Sequence, residues 1–151
     1  MFFTVALRDR SSDVLVREVD VLRQIVRQTL QVQPFQIDAW VVLPNHMHCI
    51  WTLPKGNADH VHRWQMIKAR FGNTIALKAR DFSYERRNGL FARDLREYVI
   101  TEQKDWERLV QYCWDDPVKH GFVEKARDWP YSSFHRDNSA GRRTRISRIA
   151  S

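Results

Sequence analysis

Trp40-Val41-Val42-Leu43-Pro44-Asn45-His46-Met47-His48-Cys49-Ile50-Trp51 decides the reading of this chain. Two apolar runs flank Pro44-Asn45, a turn signal, so the segment reads as two antiparallel strands. In the second run His46 and His48 are two residues apart, and side chains two apart on a strand share a face. Two imidazoles side by side on a rigid strand are half of a metal site. The pair alone does not choose among zinc, manganese and magnesium.

Working outward, residues 2–7 are apolar and partly β-branched and read as a first strand. Apolar positions 15, 19, 22, 25, 26 and 30 predict one helix over residues 14–30, stopped by Pro34. Positions 61, 64, 67, 71 and 75 predict a second helix over about 59–78. Residues 81–92, with Asn88-Gly89, read as a loop, and residues 95–100 as a strand. Thr101 is a fitting N-cap for a third helix, with Glu102 and Asp105 in its first turn. Trp106, Leu109, Val110 and Cys113 form its apolar stripe, and Pro117 is expected to end it near Asp116. Residues 129–134, rich in aromatics, are expected to pack on the body. The order strand, helix, strand, strand, helix, strand, helix predicts an α+β, ferredoxin-like split βαβ fold, with the helices on one face of an antiparallel sheet.

Tyr112 and Asp116 lie four apart on the third helix and so share a face. Asp116 could complete a metal site with the histidines, and a carboxylate at a helix C-terminus, where negative charge is unfavourable, hints at such a purpose. A phenol needs deprotonation or a positive field to act as a nucleophile. A divalent cation at the histidines would supply that field and polarise a phosphodiester. The chain carries 25 Lys+Arg against 18 Asp+Glu, net +7, which favours a polyanionic partner. Lys68, Arg70, Lys119, His120, Arg142 and Arg143 are candidate phosphate contacts.

Hydrophobic residues make up 43% of 151, enough for one domain with a real core. Two cysteines, Cys49 and Cys113, are too few for a disulfide framework and read as small buried hydrophobes. No apolar run approaches the length of a membrane span. The N-terminus lacks the charged region of a signal peptide, so a cytoplasmic, nucleoid-associated protein is expected. Residues 1–137 read as the catalytic domain and residues 138–151 as a basic, flexible tail.

The histidine-bearing stretch resembles the HUH segment of single-tyrosine transposases. Asp116-Pro117-Val118-Lys119-His120-Gly121-Phe122-Val123, followed by Asp128-Trp129-Pro130-Tyr131-Ser132-Ser133-Phe134, is similar to the tail of their REP-associated branch. The resemblance runs from about Phe2 to Asp137. It implies that His46 and His48 ligate Mg2+ or Mn2+, that Tyr112 is the nucleophile, and that Asp116 stands where the family usually has an amide ligand. It further implies single-stranded DNA with palindromic hairpins as substrate, a 5′-phosphotyrosine intermediate, and action as a monomer rather than a dimer. Members usually carry a basic, guide-reading segment before the first strand, whereas this sequence starts at Met1-Phe2-Phe3-Thr4. Tyr98, where the family often has histidine, is the alternative nucleophile. A hairpin-binding relative without catalysis and a zinc hydrolase using a metal-bound water are the competing readings.

Overall fold

A computed structural model describes residues 1–80 and 89–136. The elements run β1 (Phe2–Ala6), α1 (Val14–Arg17), α2 (Val19–Val32), β2 (Gln36–Val42), β3 (His46–Thr52), α3 (His60–Ala79), β4 (Arg96–Tyr98) and α4 (Gln103–Lys119), then a short 3-10 turn (Ala126–Asp128). The strands form one antiparallel sheet in the order β2-β3-β1-β4. This is the split βαβ plan, with β3 inserted between β1 and β2, as expected.

Strand alternation sorts side chains to two faces. Phe3, Val5, Leu7, Met47, Cys49 and Trp51 point to one face and are buried under α1, α2 and α3. Trp51 and Trp64 stack there with ring centroids 4.4 Å apart. Ala39, Val41, Leu43 and Ile50 point to the other, where Trp106, Leu109, Val110 and Cys113 of α4 cover them. The helices that cross between strands therefore share a face, as expected. The last helix does not join them: its apolar stripe matches the apolar half of the opposite face. Cys49 and Cys113 are buried and unbridged, as their apolar setting predicts.

The helix expected over residues 14–30 is broken at Glu18, whose φ of −113° and ψ of 33° leave the helical region. The break resets the helical phase, so Val14 and Leu15 enter the same core as Val19, Leu22, Ile25 and Val26. β2 bulges between Ile37 and Ala39. The bulge sends Ile37 toward one core and Ala39 toward the other. The N-cap of α4 is Glu102 rather than Thr101, and its carbonyl accepts from Trp106 N at 3.0 Å.

Pro117 does not end α4, which runs on to Lys119 with the proline inside it. The stop is Gly121, at φ +77°, a left-handed position that suits glycine. Phe122 N donates to Pro117 O at 2.9 Å and Gly121 N to Val118 O at 3.0 Å, the paired bonds of a Schellman cap. The aromatic segment after the 3-10 turn seals the free edge of β2: Val42 N donates to Tyr131 O, Ser133 N to Trp40 O, and the Trp129 indole to Val42 O. Among the described residues no helix is long and apolar enough to cross a membrane. The tail from 138 and residues 81–88 of the expected loop lie outside the described residues.

Candidate active site

The site forms where the polar half of one sheet face meets α4. In the antiparallel register His46 pairs with Ala6 and His48 with Thr4, so small side chains flank the imidazoles. Both histidines are buried. Above them α4 presents Tyr112, Asp116 and His120, each four residues from the next and thus on one face. Asp116 is 1% exposed, and its Oδ2 lies 2.8 Å from His46 Nε2 and 3.0 Å from His48 Nε2. His120 Nε2 stands 3.3 Å from Asp116 Oδ1, although that buried oxygen accepts no hydrogen bond. The ligand atoms of His46, Asp116 and His120 all fall within 4.8 Å of one another.

The outer nitrogens are held in turn. His48 Nδ1 is 2.8 Å from the Thr4 hydroxyl, and His46 Nδ1 is 2.7 Å from Asn45 Oδ1. The Asn45 amide nitrogen donates to Arg10 O at 2.6 Å, which turns its oxygen to His46. An amide oxygen only accepts, so His46 carries its proton on Nδ1. Its Nε2 hydrogen-bonds Asp116 Oδ2 when that nitrogen also carries a proton, and turns a lone pair to the same space when it does not, the form that a cation there would bind. That, with Asp116 Oδ1 accepting no hydrogen bond, makes the cluster of His46, Asp116 and His120, with His48 on the same carboxylate, one that could hold a divalent metal. Burial lowers the His48 pKa below the ordinary histidine value, with Asp116 pulling the other way; the neutral form is the one that ligates. Burial alone would raise the Asp116 carboxyl, yet the hydrogen bonds to His46 and His48 hold it well below the usual carboxylate range.

Tyr112 is 39% exposed and lies at the mouth of this cluster. Its ring centroid is 5.2 Å from that of His48 and 6.0 Å from that of Phe2, and Lys119 Nζ lies 5.3 Å from the ring centroid. Tyr98, the alternative nucleophile, is on β4, and its hydroxyl donates to Asp105 at 3.0 Å. That carboxylate raises the Tyr98 pKa.

The fold thus gathers His46, His48, Tyr112, Asp116, Lys119 and His120. Lys68 and Arg70 are on α3, whose apolar side covers the opposite face of the sheet, so they are not among the gathered residues. Arg142 and Arg143 lie outside the described residues. Sequence spacing offers His120 as a phosphate contact; the structure also places it beside Asp116. The signal was its spacing of four from Asp116, hidden by taking Pro117 as the helix end. Asn45 and Thr4, which orient the histidines, were also missed; the Thr4–His48 pairing exists only once β1 lies against β3.

Paired strand histidines beneath a helix bearing a tyrosine are the arrangement expected of an HUH-type tyrosine transposase, a class of DNA-cleaving enzyme. No protein-family model matches the chain. The REP-associated tyrosine transposase of Escherichia coli K12 is 42% identical over 140 residues, covering 93% of this chain and 79% of that protein. A Haemophilus influenzae relative is 35% identical over 143 residues, covering 92% of this chain and 81% of its own. A solved structure of a REP-associated tyrosine transposase bound to a REP hairpin is 41% identical with TM-score 0.82, covering 91% of this chain and 78% of that one. A second solved structure, from Deinococcus radiodurans, shares the fold at 15% identity and TM-score 0.52, covering 74% of this chain and 85% of that one. The chain belongs to the REP-associated tyrosine transposase family.

Proposed function

We propose that this transposase is a divalent-metal-dependent endonuclease and strand transferase for single-stranded DNA, acting beside palindromic hairpins through a 5′-phosphotyrosine at Tyr112. The observation that carries the proposal is the convergence on one Asp116 oxygen of two histidine Nε2 atoms, 2.8 and 3.0 Å away, beneath the ring of Tyr112. The hairpin comes from the solved relative, which is bound to one.

Mg2+ or Mn2+ held by His46, His48 and Asp116 would supply Lewis-acid polarisation of the phosphate oxygens and offset the developing charge. Asn45 and Thr4 hold the imidazoles in orientation. Tyr112 loses its proton and its oxygen bonds to phosphorus; the bond from phosphorus to the 3′-oxygen breaks, and that oxygen leaves as a hydroxyl after taking up a proton. One phosphodiester is exchanged for another, so the bond energy is kept for rejoining when a 3′-hydroxyl attacks the phosphotyrosine and returns the phenol. The Lys119 ammonium lies 5.3 Å from the Tyr112 ring centroid and brings positive charge to the mouth of the site. The tyrosine and histidines come from one chain, which supports a monomer. Its place of action would be the cytoplasm, at chromosomal DNA.

A labelled single-stranded hairpin with flanking bases, incubated with Mn2+ and run on a denaturing gel, tests this. Label shifted to protein size in the wild type and absent in Tyr112→Phe is the expected result. Cleavage without an adduct that survives in Tyr112→Phe would point to a metal-bound water instead, and tight binding without cleavage to a non-catalytic hairpin binder.

A further inference from the structure

A cleft of about 220 Å3 opens beside His46, lined by Thr4, Ala6, Arg10, Ala92, Asp94 and Arg96. Its geometry follows from the sheet. β1 lies between β3 and β4, and Thr4 pairs with His48 on one side and Arg96 on the other. Paired residues project to the same face, so Arg96, Thr4 and His48 form one row. Two strand spacings, roughly 10 Å, separate the ends of that row.

Arg96 and Arg10 are both exposed, and among the described residues neither guanidinium has an ion-pair partner. The loop carrying Arg10 is not independent of the site: its carbonyl accepts from the Asn45 amide that also orients His46. Two unpaired cations thus line one wall of a cleft that leads to the metal ligands, with Tyr112 on the α4 side. Guanidinium groups suit phosphate by charge and by their forked donors.

We propose that Arg96, supported by Arg10, binds the phosphate adjacent to the scissile one and lays the DNA strand across Thr4 toward Tyr112. This inference rests on the nuclease reading for the identity of the strand. It assigns to the β4 edge a substrate contact that the His, Asp and Tyr residues do not provide.

The test uses the full chain carrying Tyr112→Phe, so that binding is measured without chemistry. A fluorescent single-stranded oligonucleotide is titrated at a series of salt concentrations. Arg96→Gln is expected to weaken binding several-fold and to reduce the slope of log affinity against log salt by about 0.7, the value for one phosphate contact on a single strand. Arg96→Lys should keep the slope, and Arg27→Gln, on α2 under the opposite sheet face, should change neither quantity. A neutral methylphosphonate walked along the strand should weaken binding at one position in the parent and not at that position in Arg96→Gln. An unchanged slope, or undiminished sensitivity at every position, overturns the proposal. The two readings separate cleanly when the adduct is assayed in the chain that keeps Tyr112: a lost slope with no adduct there keeps the arginine contact and removes the nuclease. An adduct with an unchanged slope does the reverse.

Discussion

On one face of the sheet Phe3, Val5, Met47, Cys49 and Trp51 meet α2 and α3, and nearly every contact is apolar. On the other, His46 and His48 meet the buried Asp116 carboxylate of α4, Thr4 holds His48 from β1, and apolar packing runs through Ala39, Val41, Leu43, Ile50 and Phe2. The same strands build both. β3 is buried on both sides along almost its whole length, so one strand holds the hydrophobic core and the paired histidines at alternate positions. The comparison teaches how a small domain keeps a polar site rigid. The apolar face supplies the free energy, and the pleat transmits that rigidity one residue along to the imidazoles.

Four substitutions test this division. The largest effect is expected from His46→Ala: loss on the order of 10^3-fold in adduct formation, as removal of a proposed metal ligand would cost several kcal/mol of charge stabilisation. Its urea midpoint should move less than that of a core indole deletion, although the buried Asp116 carboxylate loses one of its imidazole partners. Trp51→Ala reverses the pattern. Removing a stacked, 2%-exposed indole from the apolar face should destabilise the fold by about 3–5 kcal/mol, read by urea unfolding, while whatever remains folded keeps metal-dependent cleavage. If His46→Ala unfolded the protein as readily as Trp51→Ala, the division between the faces would fail.

Thr4→Val comes next. It keeps the shape of the side chain but removes the hydroxyl at His48 Nδ1, and should lower Mn2+ affinity by roughly 10–100-fold, measured by calorimetric titration. Gly121→Ala is the smallest. It places a side chain at φ +77° with no heavy atom within 4 Å of the new Cβ, so strain rather than collision is the cost, about 1 kcal/mol in thermal unfolding. The last turn of α4 would loosen and His120 with it, and a small rise in the metal concentration needed for half-maximal cleavage would report that.

Much of the site was legible before any tertiary structure. The parity of His46 and His48 follows from a strand period of two, and the shared face of Tyr112 and Asp116 from a helical rise over four residues. Both periods are local, so residue spacing alone reports them. His120 belongs to the same helical face, but proline is locally a helix breaker. Here Pro117 lies two residues before the last residue of α4, and the Gly121 cap together with the buried Asp116 sustains the last turn around it.

Strand and helix order, the antiparallel sheet, the same-face histidine pair and the family can all be read from residue order, because they rest on periodicity, turn residues and motif spacing. Only the tertiary structure decided on which face α4 packs, how Glu18 and the β2 bulge redistribute the cores, and which residues stand behind the ligands. Those are matters of which surfaces meet. Thr4 and Arg96 are 92 positions apart and adjacent only because β1 pairs with β4. Asn45 orients His46 only because the loop at Arg10 comes back to hold its amide.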